Sequence, residues 1–266
     1  MSKELSRQFK RLNKKEEKIL NKKENKLIKS KVTPVMDKVQ DKIPEKLKDT
    51  LESAFFKGFQ LVFEKGNIVI EKTYNKDRLI SDYEVNNYIL DKNLNRKSIN
   101  KLDKYARDSK RLNTSLSFIE GSVLGFFGVG LPDIPIFIGV IMKTIYEIAL
   151  NYGYKYDSDE EKAFILKLIA AAMSEGEEKL RLNDEVSMLG DSIDKNLEMN
   201  IDLDLLVKDT AKTLSDALLV GKFIQGIPLI GALGGTINYT IIKKIAKYAE
   251  VKYKKRYLAK KLLMNK

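Results

Sequence analysis

The stretch "IPIFIGVIMKTIYEIALNY", Ile134 to Tyr152, most constrains what this chain can become. Ile134, Phe137, Ile138, Ile141, Ile145, Ile148 and Tyr152 recur at helical spacing and form one stripe, while Ile136 and Val140 make the opposite face apolar as well. A helix that is greasy on both faces has to be surrounded. The cover is either other helices or a bilayer.

One carboxylate stands at its entrance. In "GVGLPDIPIFIGVIM", Asp133 sits between Pro132 and Pro135. An aspartate just before a first apolar turn can accept the free N–H groups of the helix, and a proline is tolerated in that turn because its missing N–H would be unpaired there anyway. In the centre of a membrane span the same charge costs roughly 2.5 to 3.5 kcal/mol. Asp133 therefore reads as a helix cap or as a functional carboxylate that meets a cation, a lipid headgroup or a basic partner, and the two roles are compatible.

The remaining sequence is helical in pattern. Residues Met1 to Lys31 carry a narrow apolar stripe of Leu5, Phe9, Leu12, Ile19, Leu20, Leu27 and Ile28 among lysines and glutamates, and Pro34 and Pro44 then mark a junction. This divides the chain into a basic amphipathic arm at 1–45 and a helical domain at 46–266. Such a stripe fits a membrane surface, a partner helix or the arm's own domain. Lys46 to Tyr74 keeps one helical phase, "DRLISDYEVNNYIL" and "SINKLDKYARDSKRLNTSLSFIEG" predict two more helices, and Ser158 with Glu161 has capping-box spacing at the head of another. Gly153 is placed to end the apolar helix. Residues Ser174 to Asp204 are polar and acidic and predict a loop with a short helix. No segment alternates with period two, so the expected class is all-α: one multi-helix domain with two central glycine-rich apolar regions, preceded by the basic arm.

The second of those regions has no charge for the twenty residues between Lys222 and Lys243, a length that can span a bilayer. Against a span stand Gln225, Pro228, Thr236, Asn238 and several glycines, and Gly231 with Gly235 has the small-xxx-small spacing of close helix packing. A buried or shallowly embedded hairpin is the better expectation. Asn238 reads as a buried amide that ties up backbone groups or meets a ligand.

Residue types exclude much chemistry. Cysteine and histidine are both absent, which removes disulfides, thiolate and imidazole metal sites, and every triad with an imidazole base. Carboxylate chemistry, a Ser/Lys pair and an all-oxygen metal site remain open, but "DSDEE" at 157–161 lacks the twelve-position calcium loop. No cofactor or metal is expected. The net charge of +12 is concentrated at the two ends: Met1 to Thr50 has sixteen Lys/Arg against eight Asp/Glu, and Lys243 to Lys266 has ten against one. In "KKIAKYAEVKYKKRYLAKK", tyrosines beside lysines suit a headgroup region or a surface helix, which makes Lys243, Lys244, Lys247, Lys254, Lys255 and Arg256 the candidate lipid or anion contacts. The N-terminus has no apolar h-region, so a cytoplasmic location is expected, and the composition suggests a bacterial source.

Two blocks carry a resemblance. "EGSVLGFFGVGLPDIPIFIGVIMKTIYEIALNYGYKYDSDEEKAFILKLIAAA" and, later, "IPLIGALGGTINYTIIKKIAKYAEVKYKKRYL" resemble, in that order, the signature regions of the EcsC family, over roughly residues 50 to 260 and without the arm before Pro34. The matching positions are Gly121, Gly125, Gly130, Pro132, Asp133, Pro135, Tyr152, Gly153, Pro228, Gly231, Asn238 and Tyr257. The family is named for a protein encoded beside a bacterial ABC transporter, and the resemblance implies no biochemical activity and no catalytic residue.

Three functions fit these features. The leading expectation is a cytoplasmic accessory module, peripheral at the inner face of the cell membrane, with its basic ends toward anionic lipid and its apolar regions available to a lipid or membrane-protein partner. A carboxylate-based, lipid-directed enzyme using Asp133 is the alternative; it needs a concave pocket with two acidic groups close together. Nonspecific nucleic-acid binding is the third. Charge alone permits it, but the basic arm lacks a recognisable reading motif, so a specific nucleic-acid partner is not expected.

Overall fold

The computed structural model describes residues 3–21, 44–103, 133–224 and 235–264, with side chains throughout except at 3, 66, 67, 133, 221–224 and 235–237. Among the described residues every regular element is a helix, as the spacing predicts. The order is α1 (Lys3–Leu20), α2 (Glu45–Leu61), a π-helical turn (Val62–Gly66), α3 (Asn67–Glu71), α4 (Lys76–Lys92), α5 (Asp133–Asn151), α6 (Asp159–Met173), α7 (Gly176–Asp194), α8 (Leu203–Ile224) and α9 (Gly235–Met264), with residues 96–103 also helical. "NIVIEKTY", which β-branching alone would allow as a strand, begins instead as α3 and turns at 72–73.

Helices α5 and α9 pack on each other at the centre. Around them, α2 and α4 cover α5, α6 packs on α7, α8 and α9, α8 also packs on α2, and α1 lies on α9. Residues 134 to 152 are all buried, so the apolar helix finds its cover within the protein. Ile134–Asn151 is the one window among the described residues long and apolar enough to cross a membrane, and 94% of it is inside. Its polar groups are engaged: Thr144 donates to the Val140 carbonyl at 2.7 Å, Asn151 to the Glu147 carbonyl at 2.8 Å, and Lys143 to the Thr73 carbonyl at 3.0 Å.

One feature departs from the sequence expectation, and two others add to it. The segment expected as a loop with a short helix is α7, nineteen residues long. Leu182, Val186, Leu189 and Ile193 give it a narrow stripe three to four residues apart, and burial of Leu182 and Val186 against the core outweighs a polar composition. The arm's helix is docked: Leu5 and Leu12 are buried, and Lys15 Nζ reaches Glu250 at 2.8 Å. Finally, glycine mediates the α2–α5 approach from the α2 side. A Cβ on Gly58 would lie 2.5 Å from Ile138 Cδ1, whereas Gly139 on α5 has open space around it. Gly121 to Gly130 and Pro228 to Gly234 lie outside the described residues.

Candidate functional site

The densest polar arrangement forms where α5 turns into α6. Gly153 adopts φ +80°, its N–H donates to the Leu150 carbonyl at 2.9 Å, and the Tyr154 N–H donates to the Ala149 carbonyl at 2.9 Å. This pair of bonds is the Schellman termination, which needs a left-handed residue at that position. A Cβ there would also collide with the Tyr83 ring, so two constraints select glycine. Five residues after Gly153, Ser158 caps α6 by accepting the Glu161 N–H.

Glu161 does not complete a capping box. Its carboxylate turns inward and accepts from Arg256 Nη1 at 2.7 and 2.8 Å. Asp194, the last residue of α7, takes the other side of the same guanidinium, through Nε at 3.1 Å and Nη2 at 2.8 Å. The rings of Tyr154 and Phe164 lie 4.2 and 4.5 Å from its central carbon. A planar, five-donor group is what such a site requires, because two carboxylates and two aromatic neighbours are met at once. Burial lifts the Glu161 carboxyl to about 7, against the pull of Arg256. Burial works against the Arg256 charge too, but Asp194 and Glu161 more than offset it and hold the guanidinium's pKa above its ordinary value.

This cluster is the floor of a cavity of about 500 Å³. Tyr83, Gly153, Tyr154 and Tyr257 contribute to its walls, with Lys155 and Lys260 also in its lining. Both lysines are exposed, and neither makes an ion pair among the described residues. The Tyr257 hydroxyl donates to Asn87 Oδ1 at 2.9 Å, and Lys261 pairs with Asp91 at 2.5 Å. The Tyr154 hydroxyl is buried with no hydrogen-bond partner among the described residues.

The residues singled out from the sequence separate into groups. Tyr152, Gly153 and Tyr257 come together at the cavity. Pro135 is buried in the first turn of α5, away from it, and Asn238 is buried on α9 with its Oδ1 unpartnered among the described residues. Asp133 opens α5, but its side chain, like Gly130, Pro132, Pro228 and Gly231, lies outside the described residues. The carboxylates that the cavity does hold are Glu161 and Asp194, both turned onto Arg256. Among the described residues no group of three or more acidic side chains is placed to hold a metal.

Half of the expected anion-contact residues face inward. Lys254 is buried and pairs with Asp103 at 2.6 Å, and Asp103 also accepts the Tyr152 hydroxyl at 3.2 Å. Lys255 pairs with Glu16 of α1 at 2.5 Å, as does Lys252 at 2.7 Å. Burial pushes the Glu16 carboxyl up, but the two ammoniums outweigh it and hold the group below its ordinary value. Arg256 is the cavity floor. Each cation turns inward because an acid on a different element meets it there, and an unpaired buried charge would be far more costly than a paired one. Lys243, Lys244 and Lys247 remain exposed on one face of α9, with Lys243 5.5 Å from the exposed Tyr239 ring.

Sequence reasoning missed the Glu161–Arg256–Asp194 cluster. Ser158 and Glu161 were legible as a cap, but nothing local announces a partner ninety-five residues away.

Residues 6–258 match the EcsC protein family. That span includes most of α1, the segment that the sequence sets apart as an arm. The chain is also 25% identical over 165 residues to a Bacillus subtilis (strain 168) protein named uncharacterized protein YdbA; the alignment covers 60% of each chain. No solved structure matches. With nearly its whole length matched, from α1 through the Arg256 and Tyr257 turn of α9, the chain belongs to the EcsC family.

Proposed function

We propose that this EcsC-family chain is an accessory module that docks peripherally on an anionic membrane surface, at the cytoplasmic face, through one basic side of the fold. The observation that carries the reading is the sorting of its cations. Buried lysines and Arg256 on α9 are neutralised internally, whereas Lys243, Lys244 and Lys247 are exposed and make no ion pair among the described residues. On α1, Lys10, Arg11, Lys14 and Lys18 have the same character.

The two sets belong to neighbouring helices. Phe9 lies against Lys255 at 5.9 Å and Lys15 bonds Glu250 at 2.8 Å, so α1 runs antiparallel to α9 and its last turn heads toward the Lys243–Lys247 stripe. Each cation held near an anionic leaflet contributes about 1 kcal/mol, and several together make a reversible anchor without apolar insertion. Burial of α5 within the protein fits a peripheral mode of contact.

Flotation with neutral and anionic liposomes, at low and high salt, tests the proposal. The expected result is anionic-selective flotation that high salt abolishes and that Lys243→Gln/Lys244→Gln/Lys247→Gln weakens. Absence of flotation with anionic vesicles at low salt refutes it. Equal retention on heparin and on anionic vesicles, with no loss in the triple variant, would instead favour nonspecific polyanion binding by net charge.

A further inference from the structure

The cavity beside Gly153 lies within the volume range of small-molecule sites, about 300 to 1,000 Å³. Its floor leaves Arg256 no free donor face for an occupant, since the guanidinium is already engaged by two carboxylates at hydrogen-bonding distance. The lining cations that make no ion pair among the described residues are Lys155, on the loop after α5, and Lys260, one turn beyond Arg256 on α9. Lys261 beside them already has Asp91. An occupant drawn to this concavity therefore carries an anionic group for two ammonium donors. The walls add a second requirement. Tyr83 and Tyr257 present ring faces and edges, 6.3 Å apart and nearly perpendicular, to whatever body the anion carries. Tyr154 adds a third: its buried hydroxyl has no hydrogen-bond partner among the described residues, a deficit that an acceptor on an occupant would relieve.

We propose that this cavity binds a small phosphate-bearing molecule, with the phosphate between Lys155 and Lys260, the body against Tyr83 and Tyr257, and an oxygen accepting from Tyr154. Phosphate suits the site because lysine ammoniums bind it as point charges, with no planar fork needed. The proposal is independent of the membrane reading, which uses Lys243, Lys244 and Lys247.

Isothermal titration of the full chain at physiological salt tests it, with three probes: phenyl phosphate, glycerol 3-phosphate, and dihexanoyl phosphatidate below its micellar concentration. At least one is expected to bind with a sub-millimolar Kd, and Lys155→Ala/Lys260→Ala to weaken that binding about tenfold or more. Tyr154→Phe also weakens binding while the unliganded protein melts no earlier than wild type. Binding of the phosphatidate alone assigns the site to a lipid headgroup; binding of phenyl phosphate or glycerol 3-phosphate assigns it to a free organic phosphate. The Lys243/Lys244/Lys247 triple variant keeps the titration even where it loses flotation. No binding of any probe, or binding unchanged in the double lysine variant, overturns the proposal.

Discussion

Gly153→Ala tests the turn on which the cavity is built, and its cost divides into two parts that a second substitution separates. The backbone part follows from φ +80°, a conformation that costs an L-residue with a side chain about 1 to 2 kcal/mol. The packing part follows from the Tyr83 ring: a Cβ at Gly153 would sit 2.5 Å from the Tyr83 hydroxyl oxygen and closer still to the ring itself, and forcing a group into occupied space costs about 1 to 3 kcal/mol. Together the loss is roughly 2 to 5 kcal/mol. Urea unfolding followed by far-UV circular dichroism measures it. In a Tyr83→Ala background the ring is gone, so the same substitution is expected to cost only the backbone part. Phenylalanine at position 83 would not give that relief, because the ring carbons remain. An equal loss in the wild-type and Tyr83→Ala backgrounds would refute the claim that the ring selects glycine; a loss below about 0.5 kcal/mol in both would refute the claim about φ as well.

Arg256→Met leaves Glu161 and Asp194 without their cation, and about 3 to 5 kcal/mol of stability is expected to be lost in urea titrations, partly recovered by adding Glu161→Gln. Because burial raises the Glu161 carboxyl to about 7, the folded chain holds that proton more tightly than the unfolded chain; this group's contribution is fully present below pH 4.5 and falls as the pH rises to about 7. Glu161→Gln should remove that part of the profile, read as the difference in urea midpoints between variant and wild type. Glu16 has the opposite sign: its carboxyl is held below the ordinary value, so its contribution is present above pH 4.5 and lost as the pH falls through the folded value, and Glu16→Gln should destabilise at neutral pH but converge with wild type in acid. Gly58→Ala is expected to lie within about 1 kcal/mol of wild type, since the only close atom is the flexible end of Ile138 and alanine gains about 1 kcal/mol in helix propensity; thermal melting checks it.

Much of the scaffold was written locally and was therefore legible. The two apolar faces of Ile134–Tyr152, the Ser158 cap and the glycine at 153 each rest on neighbours within a few residues, so the all-helical class and the α5–α6 turn could be read from the sequence. The orientation of α9 could not. "KKIAKYAEVKYKKRYLAKK" places cations all round the helix, and what separates Lys254 and Arg256 from Lys243 and Lys247 is the position of Asp103, Glu161 and Asp194 in space. The same holds for α1, whose narrow stripe understates its attachment because Glu16 sits within that stripe and has its counter-charges on Lys252 and Lys255. Polar composition also hid α7, where a stripe of four apolar residues suffices once α6 is there to receive it.

The internal ion pairs of α9 also bear on how the chain is made. Lys15 and Glu250 are 235 positions apart, Glu16 and Lys255 239, and Asp103 and Lys254 151. At synthesis rates of about 5 to 20 residues per second, α1 waits on the order of tens of seconds for the helix that receives it. Through that interval Glu16, Asp103, Glu161 and Asp194 lack the α9 cations that neutralise them, and the apolar faces of α5 and α6 lack part of their cover. The closing step of folding is thus deferred to the emergence of one late segment. A nascent chain arrested before α9 should be protease-sensitive at α1 and at the uncovered faces of α5 and α6, and should become resistant there once Lys252 to Lys261 can fold back onto it.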